Sequence, residues 1–229
     1  MSKLIVIDGL DGSGKATQAE LLYNKLKIMG KNVHRVSFPN YADESSSAVK
    51  VYLSGALGED ASKLNPYMCS QFYAVDRAIQ YVKHLKAIHD EEDAILICDR
   101  YLSANIIHQG AKIESAEDKK KFFEWVYDNE VNKMGIPSDD LTIILSVPVE
   151  LSQKLMANRY NNDESKKDIH EANIGYLKTC YNTVDLAVSH LKNCGYNWVK
   201  IDCSTQDGES IKSIEEIERL IWDKVLGVL

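Results

Sequence analysis

Residues 4–17, LIVIDGLDGSGKAT, restrict the possible folds of this chain more than any other stretch. Leu4, Ile5, Val6 and Ile7 form a continuous apolar run, which suits a strand covered on both faces. Glycines at 9, 12 and 14 then admit left-handed backbone angles. The following run, TQAELLYNKLKIMG, repeats apolar residues at Ala19, Leu22, Leu26 and Met29, the stripe of an amphipathic helix that Gly30 ends. A strand, a glycine turn and a helix in that order gather backbone N–H groups and the positive end of a helix around an anion.

The spacing from Gly9 to Lys15 meets the GxxxxGK pattern of loops that cradle the phosphates of ATP. Gly9, Gly12, Ser13, Gly14, Lys15, Ala16 and Thr17 are the candidate ATP-binding residues. The pattern normally closes with Ser or Thr, whose hydroxyl ligates magnesium, but Ala16 stands there. Thr17 is no simple substitute, because one residue along a helix turns the side chain by about 100°.

Further apolar runs recur as NVHRVSF at 32–38, AILIC at 94–98, LTIILSV at 141–147 and NWVKID at 197–202, separated by amphipathic stretches. This alternation predicts a central five-stranded parallel sheet in a three-layer α/β/α arrangement. No Pro/Gly/Ser-rich linker divides the chain, so residues 1–229 read as one domain. Ligands of such sheets bind beyond the carboxyl ends of the strands. Asp8–Thr17, Phe38–Asp43 and Asp99–Gln109 follow the first three of these strands. Asp99, ending AILICD, suits magnesium and its waters.

A net charge of −7 argues against nucleic acid as a partner. No apolar run reaches the roughly 18 residues of a membrane span, and no signal segment opens the chain; a cytoplasmic location is expected. Cys69, Cys98, Cys180, Cys194 and Cys203 are odd in number and form no CxxC pair, as expected of free thiols in a reducing compartment. No zinc signature is visible.

GLDGSGK, FPNY, YAVDR, DRYLSANIIHQGAK and DIHE, in this order, resemble the thymidylate kinase family of nucleoside monophosphate kinases, from the first strand to about Tyr181. The resemblance implies a P-loop kinase fold, transfer of the ATP γ-phosphoryl group to dTMP with magnesium, and a homodimer. It sets Asp11 toward the acceptor phosphate and sugar, sharing the metal in some members. Phe38 and Tyr41 come to the acceptor mouth. Many relatives carry arginine at the place of Tyr41, so the load of charge neutralisation shifts to Arg100 and metal, unless Lys50 also reaches the site.

In YAVDR, Tyr73 and Arg77 lie one helical turn apart, so the ring can stack on a base while the guanidinium donates to thymine O4. Asn105 and Gln109 are candidates for the pyrimidine edge, and His108 for a bulky group near the sugar. NRYNNDESKKDIHE, residues 158–171, reads as a lid carrying Arg159, Lys166 and Lys167. By resemblance its Asp168 faces the base and its Glu171 the metal. The expected catalytic set is therefore Lys15, Asp99, Arg100 and Arg159, with Asp11, Asp99 and Glu171 around magnesium. Other readings are a kinase acting on dUMP, another nucleotide or a deoxynucleoside, and a nucleotide-binding regulatory protein without catalysis, suggested by Ala16 and Tyr41.

Overall fold

The computed structural model describes residues 2–58, 60–159 and 173–229. Strands β1 (Lys3–Gly9), β2 (Val33–Ser37), β3 (Ile95–Asp99), β4 (Leu141–Ser146) and β5 (Trp198–Asp202) form one parallel sheet in the order β2-β3-β1-β4-β5. Each falls within a residue or two of its expected position. The central strand β1 pairs with β3 from Lys3↔Ile95 to Ile7↔Asp99, and β2 with β3 from Val33↔Ile95 to Ser37↔Asp99. Asp99 thus ends its strand flanked by Ile7 and Ser37.

Successive residues of β1 enter different cores. Leu4 and Val6 pack on one face, with Phe122 and Phe123 of helix α5 (Ala116–Tyr127) and Leu177 and Val184 of α7 (Ile174–Asn193). Ile5 and Ile7 pack on the other, with Leu22 and Leu26 of α1 (Lys15–Ile28) and Ile217 and Ile221 of α8 (Ile214–Val225). Each fully buried aliphatic side chain contributes roughly 1.5–3 kcal/mol, so the two covered faces explain the unbroken apolar strands.

Four further helices shape the carboxyl end of the sheet: α2 (Ser47–Leu53), α3 (Pro66–Gln80), α4 (Leu102–Ala104) and α6 (Val149–Arg159). The α3 helix continues through a π-helical segment Tyr81–Leu85, α4 through Asn105–Gln109, and α5 through Asp128–Lys133. Such wide turns inside helices occur often at functional sites.

One expectation on α1 is corrected. Ala19, Leu22 and Leu26 are buried, but Met29 is 51% exposed. The helix ends at Ile28, and Gly30, at φ 74°, turns the chain away before a further apolar turn reaches the sheet. Gln18 lies buried at the start of the helix instead, donating from Nε2 to the Ile214 carbonyl at 2.9 Å.

Candidate active site

The loop after β1 is shaped by what its glycines exclude. A Cβ on Gly9 would lie 2.6 Å from both the Leu145 carbonyl oxygen and Ser13 Oγ. Gly12, at φ 80°, leaves no room either, since its Cβ would stand 2.5 Å from the Ser152 carbonyl on α6. Gly14 adopts φ 84° as the residue before α1 and makes no side-chain cap. The first N–H groups of a 14-residue helix therefore open onto the loop, as anion binding requires. Ser13 is buried with an unpartnered Oγ, whereas Ala16 and Thr17 are exposed on the first helical turn. Lys15 Nζ reaches back over the loop to Asp11 Oδ1 at 3.1 Å.

Arg100 joins this loop to the end of β3. Its backbone adopts φ 68°, a left-handed conformation costly for a side chain of this size. Three partners hold the guanidinium there: Asp11 Oδ1 at 2.6 Å, Asp8 Oδ1 at 3.3 Å and His108 Nε2 at 3.2 Å. Burial opposes the charged form of Asp11, but Arg100 and Lys15 overcome it and hold the carboxyl well below the usual range. Burial likewise opposes the charge on Arg100, which Asp11, Asp8 and Asp99 in turn strengthen.

Asp8 joins this group although the sequence motifs do not single it out. It is fully buried, accepting from Gly9 N–H at 2.7 Å and Ser103 Oγ at 2.6 Å, and so fixes both the loop and Arg100. Its only sequence signal is an acidic residue ending an apolar strand, the same signal that marks Asp99.

Asp99 is treated differently by its surroundings. It is buried, its Oδ1 has no partner, and burial pushes its carboxyl up despite Lys15 and Arg100 nearby. Lys15, Arg100 and Arg35 are the cations whose charge reaches this carboxylate, and Asp8 is the anion that opposes them. A buried, orphaned carboxylate oxygen at the end of β3 fits a hard divalent cation, which prefers oxygen ligands. Asp11 fits less well, because Lys15 and Arg100 already share its Oδ1.

A second group lies on α3, α4 and the continuation of α5. Arg77 is buried, donating from Nε and Nη2 to the two carboxylate oxygens of Glu130 at 2.6 Å each, and from Nη1 to the Tyr101 carbonyl at 3.2 Å. Asn105 is also buried, and both hydrogens of its amide are engaged, by Ser70 O at 3.1 Å and Glu130 Oε1 at 2.9 Å. One of these N–H groups thus meets the same Glu130 oxygen that accepts from Arg77 Nη2. Glu130 carries no motif of its own, because it lies 53 residues from Arg77, inside an ordinary charged helix. Gln109 is buried nearby in sequence with an unpartnered Oε1.

The ring of His108 contacts Arg100 through Nε2 at 3.2 Å and approaches Cys180 Sγ with Nδ1 at 3.8 Å. Tyr73 is half-buried and meets Tyr52 edge to face at 6.1 Å. Phe38 is buried against Tyr101, while Tyr41 is 52% exposed and Lys50 stands exposed on α2. Fully buried Asp76 ties the FPNY turn to α3, accepting from Asn40 N–H at 3.1 Å and Ser45 Oγ at 2.5 Å. The side chain of Arg159, together with Lys166, Lys167, Asp168 and Glu171, lies outside the described residues.

A parallel sheet whose first strand opens into a glycine cradle, with an Asp-Arg pair ending the neighbouring strand, defines a P-loop phosphotransferase of the nucleotide-kinase class. Residues 7–193 match the family model for thymidylate kinase, and the chain belongs to that family. It is 29% identical to a thymidylate kinase of Mycobacterium tuberculosis over 71% of this chain and 74% of that one. A probable thymidylate kinase of Pyrococcus abyssi is also 29% identical, over 76% and 80% of the two chains. Among solved structures, thymidylate kinase from Candida albicans superposes with a TM-score of 0.68 at 17% identity, covering 99% of this chain and 92% of that one, a likeness of fold.

Proposed function

We infer that this protein is an ATP-dependent kinase that transfers the γ-phosphoryl group to dTMP, yielding dTDP and ADP. The observation that carries the reading is the chain Lys15–Asp11–Arg100, which joins the phosphate loop to the end of β3 within a family-matched sequence. The acceptor phosphate is largely ionised near neutral pH, so its oxygen attacks the γ-phosphorus in line without a strong general base. Loop N–H groups and Lys15 hold the donor phosphates. Arg100, oriented by Asp8 and Asp11, offsets charge on the transferring group and the acceptor. The lid expected over 158–171 supplies Arg159 and neighbouring cations and excludes water.

Magnesium, when bound, neutralises charge on the phosphates. The unpartnered Oδ1 of Asp99 supports its binding there, with Glu171 as the further ligand that the resemblance implies. This reading meets the missing hydroxyl at Ala16 without calling on Thr17. The intact Lys15, Asp99 and Arg100 set disfavours a regulatory protein without catalysis.

Met68, Val75, Ile79 and Val82 expose an apolar stripe along α3 and its continuation, and Val51 on α2 is exposed as well. Such a face favours a second copy of the chain, which supports a homodimer. The five free cysteines support a cytoplasmic assignment; no described helix is long and apolar enough to cross a membrane.

The test is ADP release coupled to an indicator reaction across dTMP, dUMP, other nucleoside monophosphates and thymidine. Turnover highest on dTMP is expected. Turnover highest on another acceptor, or none on any, overturns the reading. Light scattering on the eluted protein decides the dimer.

A further inference from the structure

Glu124, His190 and Cys194 bring a carboxylate oxygen, an imidazole nitrogen and a thiol sulfur within 4.8 Å of one another on the surface between α5 and α7. Glu124 Oε1 lies 2.8 Å from His190 Nε2, and Cys194 Sγ lies 3.6 Å from the same nitrogen. His190 and Cys194 are four residues apart at the end of α7, so they share one face of the last turn. The imidazole is largely covered, its side chain 17% exposed, with its ring 6.4 Å from Phe123, while Glu124 reaches across from the facing helix. No CxxC or HxxxH spacing announces this group, because its third member sits 66 residues away in the chain.

We propose that Glu124, His190 and Cys194 form a binding site for a borderline transition-metal ion of the zinc or cobalt kind, clamping α5 to α7. Mixed oxygen, nitrogen and sulfur donors suit these ions and disfavour magnesium and calcium, which take oxygen ligands. Zinc bonds of about 2.0–2.1 Å to nitrogen and 2.3 Å to sulfur place two tetrahedral ligands about 3.5 Å apart. The histidine and cysteine already stand at 3.6 Å. The carboxylate, whose side chain is 57% exposed, has only to swing outward by roughly half an ångström to open its 2.8 Å hydrogen bond to the corresponding N–O distance of about 3.4 Å. On binding, Cys194 releases its thiol proton to solvent, and His190 carries its remaining proton on Nδ1. The fourth position is left for water.

The 20 residues of α7 set this group roughly 30 Å along the helix from the end adjoining the lid segment. The ion is therefore separate from the chemistry of phosphoryl transfer, and its effect is to hold two helices of one face together.

The test uses the full chain with excess magnesium present. Titration with Co²⁺ is expected to give a near-ultraviolet thiolate-to-cobalt charge-transfer band that saturates at one equivalent, is bleached by Zn²⁺, and is absent in Cys194→Ser and His190→Ala. Glu124→Gln is expected to weaken binding by about tenfold or more. Cys194 is the exposed one of the five thiols, so Zn²⁺ should also slow its alkylation by at least about tenfold at stoichiometric occupancy. Thermal unfolding should rise by about 2–4 °C with Zn²⁺ in the native chain and stay unchanged in Cys194→Ser. A band that persists in Cys194→Ser, or no band in the native chain with alkylation unaffected by Zn²⁺, overturns the proposal and leaves only a Glu124–His190 ion pair.

Discussion

Arg77 and Glu130 meet through two hydrogen bonds of 2.6 Å, with both side chains 1% exposed. Burial works against the charge on Arg77, and the carboxylate facing it more than restores it. A fork of this kind fixes the plane of the guanidinium. Three of its five N–H groups are engaged by Glu130 and Tyr101, leaving one on each of Nη1 and Nη2 for a base.

Replacing Arg77 therefore has two effects that can be separated. Arg77→Ala is expected to cost about 3–5 kcal/mol of stability, because Glu130 is left buried and unpaired. It should also raise KM for dTMP about 10- to 100-fold, with KM for ATP close to the native value. The pair Arg77→Met with Glu130→Leu should recover much of the stability while dTMP recognition stays lost. Urea unfolding and steady-state kinetics on the three chains decide it. Recovery of dTMP recognition in the double variant would remove Arg77 from the base pocket.

Asp99 should show the reverse relation between stability and activity. Its folded carboxyl is pushed up by burial, so the favourable contribution of its protonated form is present below the unfolded value of about 3.9 and is lost as pH rises through the folded value. Asp99→Asn should thus equal or exceed the native chain in stability at pH 7, with its advantage shrinking toward pH 4. Its turnover should fall at least a hundredfold, about 2.7 kcal/mol. Ala16→Ser should change turnover by less than tenfold, about 1.4 kcal/mol. A large gain from serine would mean that the hydroxyl, and not Asp99, is the missing magnesium ligand.

Asp11 carries the opposite sign. Burial alone would raise its carboxyl, but Arg100 and Lys15 hold it far below the ordinary range. Its stabilisation is present above the unfolded value near 3.9 and is lost as pH falls toward the folded one. Asp11→Asn should cost about 1–2 kcal/mol at pH 7, Arg100 keeping Asp8. That difference should narrow steadily from about pH 5 downward. A difference independent of pH in denaturant midpoints would refute the ion-pair account.

Gly12 makes a prediction about the lid. Some thymidylate kinases carry arginine at this loop position, but here a Cβ would strike the Ser152 carbonyl at 2.5 Å. Gly12→Ala should lose stability by about 1–3 kcal/mol through the strained φ and the clash. Gly12→Arg should not raise turnover. If the lid cations meet charge on the transferring group as proposed, neutralising Arg159, Lys166 and Lys167 together should cut turnover at least a hundredfold, a small part of what cationic fingers can supply. Nucleotide affinity by equilibrium titration should fall less than about tenfold. Equal losses would make the lid a binding element only.

The strands, the phosphate loop and the Asp99-Arg100 pair are legible in the amino-acid sequence alone, because each is written in adjacent residues. A run such as AILIC needs cover on both faces whatever follows it, and the glycines at 9, 12 and 14 announce backbone angles that few other residues adopt. The resemblance of five ordered motifs then carries the chemistry as far as the family.

Neighbouring residues dictate the local features: which segments are strands, where the chain turns, and which side chains stand at strand ends. Tertiary structure alone decided the partners. Asp8 and Asp11 reach Arg100 from the end of β1 and the loop after it, Glu130 reaches Arg77 across 53 residues, and Glu124 reaches His190 across 66. Local propensity depends on neighbours within a few residues, whereas the charge and hydrogen bonding of a buried group depend on whatever the packing of distant helices brings within about 3 Å. That is why Asn105 and His108 stand out in the sequence as polar residues near the site, while their contacts with Glu130 and Arg100 are set only by the fold.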